Sequence, residues 1–592
     1  MTTAIALGDI PFGQPLPPNP HTLCMSLPSW KDVVGYLEKE KTFLDAVVTG
    51  YPRFFIHRSV QKLIDISEKK FGHEGETCLI FPSRRDAEHC KDFILRQAAL
   101  ANISAKVRTV QYPIHAGDSS SLGPDVPVSG PCACRAELHL AFFPNEVYAI
   151  ARKFWQHCGL GISSRRADHC LSLIEGAEQR TLPCPGEHDS CSVAAREGAQ
   201  AKLELCQRIA SYFVHPDADN CQQGRGTHSS VPEPGSSLNG EIVHRVTEEG
   251  VFLFSCGVSA IFNAHQLLLE ARPGQPSKSV VFGFPYTCTL KLIEKFGPGV
   301  YFFGHGLDSD IDDLEAMLAQ GSTTDQSGPP ILALFTEFPS NPLLRAVNLP
   351  RLRALADKYD FPIVIDETIG SFANVNVLPF ADIVITSLSK FVCGRANVLG
   401  GSLVLNPNGR HYATLKDRLT YMYEDTYFDE DAIVMEGNSR DFLGRMHIIN
   451  DNAETVCDFL HPRSIAGGGP SESTVIKQVL YPKYTSPTNY SRCRLPNGGY
   501  GGLFSLTFVS LAASKAFYGA LPCAKGPSFG YEFTMAFPYT IVGHYDELGW
   551  AAEYGVDEGL VRISAGVEEK GVLLGWIEIA LKAAEACVGV SS

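Results

Sequence analysis

Lys390, in the stretch TSLSKFVCGRANVLGG (386–401), follows an apolar run and has two hydroxyls beside it, Ser387 and Ser389, ahead of a glycine-rich segment. An amine in that place can be a nucleophile, a phosphate ligand or a solvated charge at a strand end. Three other apolar runs also finish on polar groups. FLFSCGVSA sets Ser255, Cys256 and Gly257 at a strand-to-helix turn, where backbone N–H groups and the positive helix end favour an anion such as phosphate. FTEFPSNPLL carries Asn341 between a serine and a proline, and FPIVIDE brings Asp366 to the end of its run. A lysine and an aspartate facing one crevice suit pyridoxal phosphate. The amine forms a Schiff base with the aldehyde, and the carboxylate pairs with the ring nitrogen, keeping it protonated and the ring electron-poor. On that reading Ser387, Ser389 and the turn at Gly257 hold the phosphate. Taken singly, an aspartate after a strand often caps a helix and a lone lysine is normally solvated. The ordered set carries the reading. Ser387 to Lys390 also satisfies the S-x-x-K pattern of serine acyl-enzymes, but the S-D-N and K-T-G elements that accompany it are absent from the chain.

The elements that must position these groups show a regular rhythm from about residue 250. VFLFSCG precedes the helical SAIFNAHQLLLEA, KSVVFGF precedes TLKLIEKFG, and PILALFTEF precedes LPRLRALADKYD, with FPIVIDE and ADIVITS following. Short apolar runs alternating with helices predict crossover units, a mostly parallel sheet and an α/β fold, in which ligands gather at the carboxyl ends of strands. After about 440 the pattern shifts to the strand GGLFSLTFV and a closing helix WIEIALKAAEAC, a smaller α+β domain. ETCLIFPS followed by RRDAEHCKDFILRQAAL marks residues 1–150 as a folded N-terminal extension. The expected division is 1–150, 151–440 and 441–592. Residues 184–200 and 215–240, rich in Gly, Ser, Pro and polar residues, are expected as exposed or disordered insertions bracketing the helix AKLELCQRIASYFV.

A chain of 592 residues is long for one core. Its net charge of −15 argues against nucleic acid or an anionic membrane surface as partner, since both call for a basic face, and leaves a small polar substrate. No stretch offers the roughly 18 apolar residues a membrane span needs, and the N-terminus lacks a signal-peptide pattern. A soluble, cytoplasmic protein is expected, its 18 cysteines mostly reduced thiols. Cys132 and Cys134 in PCACRAE have no second pair at finger spacing, so no metal site is expected.

Six segments, CGVSAIFNAH, FPYTCTLKL, EFPSNPLL, VIDETIGSF, TSLSKFVCG and LVRISAGVEE, resemble in order the motifs of the Cys/Met-metabolism pyridoxal phosphate enzymes of fold type I. The resemblance is closest to the long fungal cystathionine γ-synthase-like proteins, whose N-terminal extension is similar to PSWKDVVGYLEKE and TGYPRFFIHRSVQKL, so it covers nearly the whole chain. It implies Lys390 as the Schiff-base lysine, Asp366 as partner of the ring nitrogen and Asn341 on the ring hydroxyl. It implies Tyr286 on the ring face, assisting proton transfer. Gly257, Val258, Ser387 and Ser389 fall to the phosphate, and Arg562 to the substrate α-carboxylate through a bidentate fork that lysine lacks. Ser528 in GPSFG falls where the family contacts substrate. The family's Tyr-Ser-Arg segment, which reaches a neighbouring subunit's phosphate, has its nearest match in GISSRRAD, with Ser164 and Arg165 but no tyrosine. The family's Gly-Met pair reads Gly257-Val258 here.

The activity this implies is γ-replacement on an O-acyl-L-homoserine in a homodimer or homotetramer. With cysteine as nucleophile the product is cystathionine, in trans-sulfuration and methionine biosynthesis. A paralogue of fungal secondary metabolism would use another sulfur or carbon nucleophile. A catalytically dead regulatory member is disfavoured by the intact Lys390, Asp366 and Arg562.

Overall fold

The computed structural model describes residues 7–52, 54–114, 136–179, 188–213, 236–238, 241–273, 277–321 and 330–589. The first sheet holds β1 (Glu76–Phe81), β2 (Arg108–Ile114) and β3 (Ala136–Pro144), antiparallel in the order β1-β3-β2. A hairpin, β4 (Ser236–Leu238) and β5 (Glu241–Val243), precedes the central sheet.

The central sheet comprises β6 (Val251–Phe254), β7 (Ser279–Phe282), β8 (Val300–Phe303), β9 (Leu334–Glu337), β10 (Ile363–Asp366), β11 (Ile383–Thr386) and β12 (Gly401–Leu405). Their order is β6-β12-β11-β10-β9-β7-β8; β12 is antiparallel to both neighbours and the other pairs are parallel. Alternate side chains along a strand point to opposite faces. Val280, Leu334, Ile363 and Ile365 accordingly enter one buried core while Val281, Phe335 and Val364 enter another. Cores on both faces explain why these runs read as continuously apolar rather than alternating. The α/β expectation is met.

After the helix Phe442–Leu460 comes the small sheet, β13 (Ile476–Leu480), β14 (Leu503–Phe508), β15 (Ala524–Lys525), β16 (Met535–Pro538) and β17 (Val561–Ser564), in the order β13-β14-β17-β16-β15. The closing helix Lys570–Gly589 packs beside the helix Leu511–Ala520.

The N-terminal region divides between these bodies. Met25, Leu27, Trp30 and Val33 share a core with Phe504, Ala536 and Ile563 of the small domain. Phe81, Phe93 and Phe154 share one with Phe254, Phe262 and Phe296 of the large domain. Residue 150, expected as the end of the extension, falls inside the helix Tyr148–Cys158.

One expectation is corrected. Residues 188–200, read as an exposed or disordered insertion, form the first half of a helix, His188–Tyr212. Ala194, Ala195, Ala199 and Ala201 are strong helix formers, and Gly198 fits against Asp429, where a Cβ would lie 2.3 Å from the aspartate Cβ. Arg208 then bonds Glu436 and Ser439, both at 2.6 Å. The second insertion, 215–240, lies outside the described residues apart from β4, as do Cys132 and Cys134. The described cysteines are free thiols. No helix among the described residues is long and apolar enough to cross a membrane.

The N-terminal segment is fastened to the small domain at Leu27. Its N–H donates to the Lys525 carbonyl at 2.9 Å, and its carbonyl accepts from the buried Tyr518 hydroxyl at 2.6 Å. Tyr518→Phe leaves that buried carbonyl short of a donor, at a cost of about 1 to 3 kcal/mol. The expected result is a lower denaturation midpoint together with faster proteolytic cleavage before residue 58.

Candidate active site

A cavity of about 490 Å³ is lined by the strand ends of the central sheet, by β16, β17 and the loop before β16, and by the N-terminal segment. The chain turns tightly after β11, which brings Lys390 to this cavity, 8% exposed. Its Nζ donates to the Ser528 hydroxyl at 2.9 Å, and Ser528 in turn is 2.6 Å from the Tyr531 hydroxyl. The rings of Tyr51 and Phe529 lie 4.5 and 5.0 Å from Nζ, a geometry that favours an ammonium. Gly530 makes this approach possible: its φ is +84°, and a Cβ there would lie 2.8 Å from the Phe391 nitrogen.

Asp366, at the end of β10, accepts the Thr368 N–H at 2.9 Å and the Thr368 hydroxyl at 2.5 Å through one carboxylate oxygen. Burial pushes its carboxyl above the usual range, and the Thr368 bonds pull it back. Glu337, at the end of β9, accepts the Tyr286 N–H at 2.6 Å. Burial pushes Glu337 well up, and the charge of Asp366 adds to the effect. Tyr286 lines the cavity just before the helix Thr287–Phe296.

Gly257 and Val258 open the helix Gly257–Ala271, whose first N–H groups have no intrahelical acceptor. A Cβ at Gly257 would lie 2.7 Å from the Ser387 Cβ, so glycine is what allows this helix end to meet the turn after β11. Ser387 lines the cavity beside it.

Arg562 projects from β17. Its guanidinium donates to the Asn341 side-chain oxygen at 2.8 Å and to the Ser528 carbonyl at 3.4 Å, with the Phe529, Phe537 and Tyr539 rings 4.9 to 5.0 Å away. Burial lowers its pKa to about 10, which still leaves a cation at neutral pH. Because Arg562 takes the Asn341 oxygen, the Asn341 side chain has its NH₂ left to donate.

One expectation needs correcting. The Ser389 hydroxyl donates to the Gly400 carbonyl at 3.1 Å and accepts the Gly400 N–H at 2.9 Å. It stitches the lysine turn to the strand that follows rather than facing the cavity. Arg165 pairs with the buried Asp431 carboxylate at 3.0 Å, outside the cavity of its own chain. Tyr51, whose ring lies beside the lysine amine, was not among the expected site residues. Its segment TGYPRF carries the Tyr-x-Arg spacing, the signal that would have located it; Arg53 lies outside the described residues. Glu337 stands two residues before the Pro-Ser-Asn that drew attention to Asn341, and only the sheet order shows that it faces Asp366's neighbourhood.

These groups fit pyridoxal phosphate. There is an amine at a strand-end turn, a carboxylate with a free oxygen at the neighbouring strand end, an amide donor at Asn341, a tyrosine on the cavity wall, and a helix N-terminus that glycine brings against a serine hydroxyl. Lys390→Ala is expected to abolish both the visible absorbance of the purified protein and covalent trapping of cofactor by borohydride. A trapped adduct persisting in that variant places the attachment on another lysine.

The family profile described as "Cys/Met metabolism PLP-dependent enzyme" matches residues 233–582, and "Fungal trans-sulfuration enzyme, N-terminal domain" matches residues 59–163. A cystathionine gamma-synthase-like enzyme of Amanita muscaria, iboG2, is 47% identical, the match covering 99% of each chain. A cystathionine gamma-synthase of Neurospora crassa is 38% identical over 97% of this chain and 98% of its own. An alanine racemase of Aspergillus violaceofuscus, ungC, is 32% identical over 97% and 96%. With the lysine, the aspartate and the arginine assembled at one cavity and these matches spanning almost the whole chain, the protein belongs to the Cys/Met-metabolism pyridoxal phosphate-dependent enzymes.

Proposed function

We propose that the chain catalyses γ-replacement on an O-acyl-L-homoserine, with cysteine as nucleophile and cystathionine as product. The observation that carries this reading is Arg562, a buried cation opening onto the same cavity as Lys390 and Asp366. A two-point fork there suits an α-carboxylate, and the cavity volume of about 490 Å³ exceeds what the cofactor alone would take up, leaving room for an acylated side chain and an incoming thiol. The likeness to a cystathionine gamma-synthase along the full chain supports the same choice.

Each residue has a task in this reading. Arg562 anchors the α-carboxylate and so fixes the direction of the Cα–H bond. Lys390 is the base that moves protons at the α and β carbons of the substrate. With the cofactor bound, Asp366 would keep its ring nitrogen protonated and Asn341 would donate to its ring hydroxyl oxygen. Tyr286 would cover the ring and Gly257, Val258 and Ser387 would hold the phosphate, while Ser528 positions the lysine amine. The pyridoxal ring supplies an electron sink for the charge that develops at the substrate. Tyr51 and Phe529 close the lysine side against water.

A second reading keeps the acyl-homoserine and changes the nucleophile to another sulfur or carbon acid. What favours it is the 47% identity to an enzyme described as synthase-like, against 38% to the Neurospora synthase. Assaying O-acetyl- and O-succinyl-homoserine against cysteine, sulfide and β-keto acids separates the two readings by product.

Arg562→Gln is expected to keep the visible cofactor spectrum while kcat/KM for the acyl-homoserine falls by roughly 10²-fold or more, a desolvated carboxylate losing its paired donors at about 2 to 5 kcal/mol. Loss of bound cofactor in this variant makes Arg562 a structural or phosphate-binding group. Unchanged kinetics hand the carboxylate to another residue.

A further inference from the structure

The outer part of the cavity holds polar side chains that the roles above leave unused. Thr287, directly after Tyr286, has its hydroxyl 3.2 Å from His544 Nε2. His544 Nδ1 is 2.9 Å from Glu547 Oε1, and the same carboxylate oxygen accepts from Lys291 Nζ at 2.9 Å. All four residues line the cavity. The His544 side chain is 1% exposed, while those of Glu547 and Lys291 are 29% and 32% exposed. The chain of hydrogen bonds therefore runs from a hydroxyl in the cavity, through a buried imidazole, to groups that water reaches. The rings of Phe284, Tyr539 and Trp550, 5.2 to 5.8 Å away, enclose the imidazole on its other sides.

The partners fix the proton positions. A carboxylate only accepts, so Nδ1 carries the hydrogen and Nε2 presents its lone pair to the Thr287 hydroxyl. The charged groups acting on His544 are Glu547 and Lys291, and Asp546 lines the cavity next to them. Burial holds the imidazole below the ordinary histidine range, Glu547 raising it and Lys291 lowering it. This favours the neutral imidazole, which is able to accept a proton.

We propose that Thr287, His544 and Glu547 form a proton relay that takes up the proton of the incoming nucleophile. The proposal rests on the γ-replacement reading. Over that reaction the γ-carbon–oxygen bond breaks, and the acyloxy group leaves as a carboxylate with the bonding pair. The nucleophile supplies the pair for the new bond at the γ-carbon. The nucleophile's proton is left over: Thr287 accepts it while passing its own to His544 Nε2, and the imidazolium, held by Glu547, returns it to solvent. Electrons and protons balance with no further reactant.

The test uses holoenzyme, O-acetyl-homoserine and cysteine, comparing cystathionine formation with the elimination that yields 2-oxobutanoate and ammonia when no nucleophile is added. Thr287→Val and His544→Asn are expected to lower replacement by roughly 10²-fold while elimination and the cofactor spectrum persist. The relay works as neutral imidazole, so replacement is lost as pH falls through the His544 pKa. Glu547→Gln removes the group that raises this pKa and moves the acid limb to lower pH, whereas Lys291→Gln moves it to higher pH. An unchanged ratio of replacement to elimination in Thr287→Val, a variant close in shape to the native residue, overturns the relay, as does an acid limb that neither charge substitution moves. If the wild-type protein neither eliminates nor replaces on any O-acyl-homoserine, the substrate reading fails instead. Nitrogen NMR of the His544 ring then decides the relay separately: an Nδ1–H tautomer titrating below the ordinary range and perturbed by Thr287→Val supports it, and an Nε2–H tautomer overturns it.

Discussion

Arg562 cannot give up its charge at any ordinary pH, yet it is 4% exposed. Burying a cation costs several kcal/mol unless the protein replaces the lost water, and the architecture around the cavity answers that demand. Two oxygens accept from the guanidinium, one from Asn341 after β9 of the central sheet and one from Ser528 before β16 of the small sheet. Three aromatic faces cover it. Since Arg562 itself stands on β17, flanked by β14 and β16, satisfying this one cation sets where the small domain meets the large one. The Lys390–Ser528 bond uses the same loop, so the amine and the guanidinium are placed by a common element.

Low polarity then acts differently on the two carboxylates nearby. Desolvation favours the neutral acid for both. Thr368 gives Asp366 two hydrogen bonds that favour its charged form, whereas Glu337 feels the repulsion of Asp366. Glu337 is therefore pushed further toward the neutral acid than Asp366. Two acids on adjacent strands come to differ, one bracing the backbone before Tyr286 and the other held by Thr368. Chemical type alone does not distinguish them.

Much of the large domain was legible in the sequence because it is built from short buried strands whose ends carry the chemistry. Lys390, Asp366, Asn341 and Gly257 each follow an apolar run, and a parallel sheet with its loops at one edge must bring them together. Arg562 and Tyr286 were reached only through family likeness, since nothing local separates a functional arginine on an antiparallel strand from any other. Ser389 was misread because a tight turn moves a hydroxyl to the other side of the chain within two residues, a rotation that spacing does not encode. The helix from His188 was hidden by polar and glycine residues whose effect the alanines outweigh. Tyr51, Glu337, Thr287, His544 and Glu547 come from segments as much as about 500 residues apart (Tyr51 to Glu547) and meet only in three dimensions.

The segment carrying Tyr51 has a further consequence for how the molecule is made. It is fastened at Leu27 to Tyr518, 491 positions away, and to Lys525. A loop that long is entropically expensive to close, and during synthesis from the N-terminus its docking surface is among the last parts to emerge. The wall beside Lys390 is thus installed after the central sheet has its strands, and until then the lysine faces an open mouth.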